Sequence, residues 1–159
     1  MRHQNGTGFL ANCQHGSVIF GAAIGFEREI SGKAAGLRTN ILICLGAAVF
    51  TLVSKQMDSP DGSLTRIAAQ IVTGVGFLGA GAIIQDRAGV HGLTTAATIW
   101  LVASIGMACG AGFYLLALIA TILAIAVLVG LNPFTKYHSK RITTDDSQQD
   151  KTDSADSAL

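Results

Sequence analysis

Between Arg66 and Asp86 the chain reads IAAQIVTGVGFLGAGAIIQ, without a charged residue and with glycines at 74, 76, 79 and 81. A helix of roughly 20 apolar residues crosses the hydrocarbon core of a bilayer. In a soluble helix each glycine costs about 1 kcal/mol relative to alanine. In lipid the same glycines let helix backbones approach closely. The segment therefore reads as a packed membrane helix, and it sets the class of the protein.

Composition agrees: 50% of residues are hydrophobic and only 13% charged, where soluble domains carry about 25% charged. A net charge of +1 gives no basic footprint for nucleic acid. Cys13, Cys44 and Cys109 are odd in number and far apart in sequence. They form neither a disulfide framework nor a zinc pattern, and they read as small buried residues. His3, His15, His91 and His138 lack metal-ligand spacing and read as loop or terminal residues.

Ionisable residues fall between the apolar stretches, because a charge at a helix centre costs roughly 2.5–3.5 kcal/mol. Clear spans are expected at Ile41–Ser54, extended back toward Leu37, and at Ile67–Gln85. From Gly92 to Thr135 there is no Asp, Glu, Lys or Arg. That run holds two helices, with the break near Cys109–Phe113, where glycines allow a turn. Val18–Phe26 is a weaker candidate, interrupted upstream by Asn12, Gln14 and His15. The expected fold is all-α, a polytopic transmembrane bundle of four to five helices. Its divisions are an atypical N-terminal segment at 1–20, a membrane domain at 21–135 and a polar, disordered tail at 136–159. A secretory signal peptide fits the late, broken apolar core poorly.

Lysine and arginine counts orient the bundle. One side holds Arg28, Lys33, Arg38, Arg87, Lys136, Lys140 and Arg141; the other holds Arg2, Lys55 and Arg66. The Glu27–Arg38 loop, the Asp86–His91 loop and the C-terminus are therefore expected in the cytoplasm, and the Lys55–Arg66 loop outside.

Gly74, Gly76 and Gly79 spell G-x-G-x-x-G. A dinucleotide fingerprint needs a preceding strand and an acid about 20 residues on, and neither context is present. Helical spacing reads differently: Ala69, Thr73, Gly76 and Ala80 form a stripe of small residues on one face, expected to contact another helix. Gly74, Gly79 and Gly81 extend that packing surface, and Gly106-x-x-x-Gly110 is a second seam. A pore lined by glycine backbone is the alternative. Thr94 or Thr95 is expected to cap the helix that opens at Gly92, and Thr94 and Thr98 share a face. Trp100 fits an interfacial anchor or packing. Glu27, Glu29 and Asp86 lie on one expected side, where an ion pair of Arg28 or Arg38 with Glu27 or Asp86 is the leading expectation and convergence of the three as a magnesium-type carboxylate site the alternative. No catalytic arrangement is visible, so an enzyme is not expected.

Together these segments resemble the MgtC/SapB family of bacterial inner-membrane proteins. The resemblance rests on Gly25-x-Glu27-Arg28, Ala35-Gly36-Leu37-Arg38-Thr39 and Gly74-Val-Gly76-Phe-Leu-Gly79-Ala-Gly81. It continues through Gly92-Leu-Thr94-Thr95-Ala-Ala97, Trp100 and the Gly106/Gly110 region, takes in Arg66, and runs from about Gly21 to Leu131. It implies an inner-membrane protein linked to growth when magnesium is scarce, with no bound cofactor beyond an interaction with Mg²⁺. Its partners would be the lipid bilayer and a membrane protein or further copies of itself. Members are often described as magnesium transporters; a regulatory or accessory role is the leading expectation here and a transporter or channel subunit the alternative. The polar stretch before Gly21 is expected to mark an altered start, and the chain is similar to the short SapB-type form without a C-terminal soluble domain.

Overall fold

The computed structural model describes residues 4–57, 63–86 and 89–131, with side chains omitted at 4–7, 63–66 and 86. Among them five helices run in order: α1 (Gln4–Ile30), α2 (Leu37–Gln56), α3 (Ser63–Gly81), α4 (Leu93–Ala111) and α5 (Tyr114–Gly130). Between α3 and α4 lies a small antiparallel hairpin, β1 (Ile84–Asp86) with β2 (Gly89–His91), pairing Ile84 with His91 and Gln85 with Val90. The chain divides into Met1–Ile125 and Ala126–Leu159; of the second unit only the end of α5, through Leu131, is described. The expected tail at 136–159 lies outside the described residues.

Apart from that hairpin the first unit is helical, as expected, with α2 and α4 at its centre. The weak N-terminal candidate is a continuous 27-residue helix. Its polar interruptions do not break it because Asn12, Gln14 and His15 all point outward. Its buried positions are Cys13, Ser17, Gly21, Ile24, Gly25 and Arg28, a stripe at helical spacing made mostly of small residues. That stripe lets α1 lie against α2: a Cβ at Gly21 would stand 2.9 Å from the Asn40 carbonyl oxygen, and one at Gly25 2.8 Å from Leu37 Cα.

The Gly106/Gly110 seam behaves as expected. A Cβ at Gly106 would collide with the Cys44 carbonyl, and one at Gly110 would lie 2.6 Å from the Ala48 carbonyl oxygen. The two glycines, one turn apart, seat α4 directly on the backbone of α2. α4 ends where expected, with Gly112 in the left-handed region (φ 92°) and its N–H bonded to Cys109 O. Lys55 reaches across from α2 to donate to Ala111 O at 3.1 Å and sits 5.2 Å from the Phe9 ring centroid. α5 turns Ala117, Thr121 and Ala124 inward, and Tyr114 Oη lies 2.8 Å from Cys13 Sγ.

One expectation about the glycine-rich segment is corrected. Its helix stops at Gly81, not Gln85, because Ile84–Asp86 pairs with Gly89–His91 as a strand. The stripe Ala69, Thr73, Gly76 and Ala80 is exposed, and it is not the face on which α3 packs among the described residues. Gly74, Gly76 and Gly81 have open space where a Cβ would sit, and only Gly79 faces a neighbour, Ala96 at 3.7 Å. The larger side chains Ile71 and Val75, with Gly79, make the contact face instead. Burial follows the ridge with apolar volume to remove from solvent, and the small residues are left on the other side.

Candidate functional site

The last turn of α1 brings the charged residues together. Arg28 is 3% exposed, which for a guanidinium requires a partner. Its Nη1 lies 3.8 Å from Glu27 Oε2, and its Nη2 donates to Thr95 Oγ1 in the first turn of α4 at 3.3 Å. Glu27 Oε1 accepts from the Ser31 hydroxyl at 2.7 Å. Arg28 Nε, Glu27 Oε2 and Asn40 Oδ1 are buried without a hydrogen-bond partner. The arginine pairing is the leading expectation for Glu27, and its second contact, Thr95, lies 67 residues away in sequence.

The loop after α1 is tightly specified. Gly32 takes a left-handed φ of 63° and Lys33 N–H bonds to Arg28 O at 3.0 Å, a helix-terminating arrangement that favours glycine. Glu29 Oε2 accepts from Leu37 N–H at 2.9 Å and so caps α2, whose N-cap Gly36 has no side chain to do it. Asn40, fully buried, donates from Nδ2 to Ala35 O at 2.7 Å and Gly36 O at 2.8 Å. The polar residues of this loop thus hold α2 in register against α1.

Glu27 and Glu29 have different partners, Arg28 and Ser31 for the first and Leu37 N–H for the second. The Asp86 side chain and the Arg66 side chain lie outside the described residues. Among the described residues no group of three or more His, Cys, Asp or Glu comes together to hold a metal. Arg38 is exposed. The capping expected of Thr94 or Thr95 is corrected: Gly92 is the N-cap of α4, with φ 88°, and no side chain caps the helix. Gly92 is required there because a Cβ would also collide with the Ala82 carbonyl. Thr95 turns inward to Arg28, and Thr98 Oγ1 donates to Thr94 O at 2.7 Å. Trp100 is half exposed and borders a hollow of about 160 Å³ with Ile71, Val75 and Met107.

A larger apolar groove of about 610 Å³ opens between α2 and α3, bordered by Leu42, Gly46, Phe50, Gln70, Gly74 and Leu78. Neither Gly46 nor Gly74 has anything within 4 Å of its absent Cβ. Three features escaped the sequence reading: the Gly21/Gly25 seam, the inward Asn40 and the meeting of Cys13 with Tyr114. The four-residue spacing of Gly21 and Gly25 was the signal for the first. Asn40 bonds locally, to Ala35 O and Gly36 O, but its inward facing is set by the docking of α1 at Gly21 and Gly25, and Tyr114 meets Cys13 from a distant helix.

The Glu29 cap makes a direct prediction. Glu29→Ala removes the acceptor for Leu37 N–H and should cost about 1 kcal/mol. Hydrogen exchange at the amides of Leu37 and Arg38 should accelerate while that of α4 is unchanged; unchanged exchange at Leu37 would remove the cap.

A model described as the MgtC family matches residues 16–137. Protein MgtC of Brucella abortus is 48% identical over 126 residues, covering 79% of this chain and 52% of that protein. Protein MgtC of Salmonella typhimurium is 54% identical over 107 residues, covering 67% and 46%. YhiD of Escherichia coli K12, described provisionally as a magnesium transporter, is 48% identical over 119 residues, covering 70% and 55%. The chain spans about half the length of the curated relatives it matches. No solved structure matches it.

Proposed function

The chain belongs to the MgtC family, and on that premise we propose that it is a multi-pass inner-membrane protein with a regulatory or accessory role in magnesium homeostasis. The membrane reading is supported by where apolar side chains lie. α2 and α4 are long and apolar enough to cross a bilayer. Phe77 is 81% exposed and Leu115 71%, and Leu116, Leu118, Ile119, Ile122 and Leu123 are exposed along α5. Water-soluble monomers rarely present contiguous apolar surface on this scale. α1, at about 40 Å, exceeds the hydrocarbon thickness of about 30 Å, so its polar first turns fit outside the apolar layer. The excess of lysine and arginine beside the Arg28 end supports placing that end, and the C-terminus, in the cytoplasm.

The observation that carries the regulatory role is the bare face of α3. Ala69, Thr73, Gly76 and Ala80 are small, aligned and unoccupied within the chain. Small residues at such spacing let another helix approach to backbone distance, which favours a membrane-protein partner or another copy. The transporter reading draws its support from the description of YhiD.

Purified protein in liposomes enclosing a magnesium-sensitive dye separates the two. The regulatory role predicts influx equal to that of empty liposomes. Influx above that level, abolished by Glu27→Gln or Asp86→Asn, establishes transport instead.

A further inference from the structure

We infer that the groove between α2 and α3 is the docking surface for a second copy of this chain, centred on Gln70. The inference rests on the membrane reading above and names which of its partners this surface takes. The groove is bordered by Leu42, Gly46 and Phe50 of α2 and by Gln70, Gly74 and Leu78 of α3. In lipid, apolar area alone does not drive helices together, because acyl chains are as apolar as leucine. Polarity and shape therefore decide the occupant.

Polarity comes from Gln70. It is exposed at the edge of the groove, and its carboxamide makes no hydrogen bond to any described residue. Thr73, the other described polar side chain of α3, is satisfied by Ala69 O at 3.1 Å. With α3 entering the bilayer at Ser63, Gln70 lies about 10 Å along the helix, inside a hydrocarbon layer of about 30 Å. Acyl chains cannot satisfy such a group. A carboxamide both donates and accepts, so it is its own complement. Two copies inserted in the same orientation are related by a two-fold axis along the membrane normal, which sets residues at equal depth opposite one another. That symmetry brings the two Gln70 side chains together, each Nε2–H donating to the other's Oε1.

Shape agrees. Gln70, Gly74 and Phe77 follow one another at helical spacing along one ridge of α3. Phe77 is 81% exposed, more than any other large apolar side chain among the described residues. A helical side chain leans back toward the helix N-terminus, so the Phe77 ring stands level with Gly74. Gly74, and Gly46 across the groove, have nothing within 4 Å of their absent Cβ atoms. The two-fold places Phe77 of each copy in the hollow beside Gly74 of the other.

The test is cross-linking and subunit counting of the full chain in liposomes. Gln70→Cys, oxidised with copper phenanthroline, should give a covalent dimer on a non-reducing gel. Leu123→Cys, on the exposed face of α5, and the wild type, whose three cysteines are fully buried, should not. Single-molecule counting at increasing lipid dilution should show a monomer–dimer equilibrium. Gln70→Leu should weaken it about fivefold, the equivalent of one interhelical hydrogen bond in a membrane, with Gln70→Asn in between. Gly74→Leu, which fills the hollow, should weaken it further. Neither leucine variant should move the unfolding midpoint of the monomer, since Gln70 is exposed and Gly74 has open space beside it. Monomers at every dilution, dimers indifferent to both leucine variants, or an equal cross-link from Leu123→Cys overturn the site. Magnesium influx would overturn the regulatory role and leave this interface standing, so the two readings fail separately.

Discussion

Gly106→Val should abolish the folded bundle. The new Cβ would fall on the carbonyl of Cys44, a backbone atom that cannot swing aside, so α4 must lift from α2. Ordinary overpacking costs about 1–3 kcal/mol, and separating the two central helices costs more. Against a total stability of about 5–15 kcal/mol, that is enough to leave aggregated protein after detergent extraction. Gly76→Leu is the matched control. Gly76 has nothing within 4 Å of its absent Cβ, so the monomer should keep its unfolding midpoint to within about 0.5 kcal/mol. Size-exclusion chromatography and thermal unfolding in detergent read both variants. If Gly76→Leu leaves the monomer stable but changes oligomer size or partner recovery, the α3 face is an intermolecular one. A well-folded Gly106→Val would remove the α2–α4 seam.

Arg28→Met should be the most damaging substitution of a charged residue among the described residues. It strands Glu27, whose side chain is 12% exposed, and leaves Thr95 without its donor. Removing one partner of a buried ion pair costs about 3–5 kcal/mol, whereas replacing both is often neutral. The double variant Glu27→Gln with Arg28→Met should therefore recover most of the lost stability. Denaturation in detergent checks the cycle; a double variant no more stable than Arg28→Met alone would show that Arg28 acts through Thr95 and packing rather than through Glu27.

Much of the helical layout was legible. The break at Cys109–Phe113 is where Gly112 turns left-handed, and α2 runs from Leu37 as its apolar extension suggested. The misreadings have a common physical source. Polar residues at 12, 14 and 15 interrupt a hydropathy profile, yet a helix tolerates them when they share its outer face. The stripe on α3 was visible as small residues at helical spacing, but spacing cannot say which face meets a neighbour.

The site was legible as a set of residues and not as an arrangement. Glu27, Glu29 and Arg28 stand within three positions of one another, and nothing local separates their roles. Only the loop closed by Gly32 and Asn40 sends Glu29 to the start of α2, and only the docking of α4 on α1 brings Thr95 to Arg28.

Local composition determined the helices, their apolar character and the family, because hydropathy, glycine content and charge placement act residue by residue along the chain. The tertiary structure decided which glycines touch backbone, which face of α3 stays bare and which partner each charge takes. Those outcomes depend on the rotation of each helix about its axis, which is set by the joint packing of all of them.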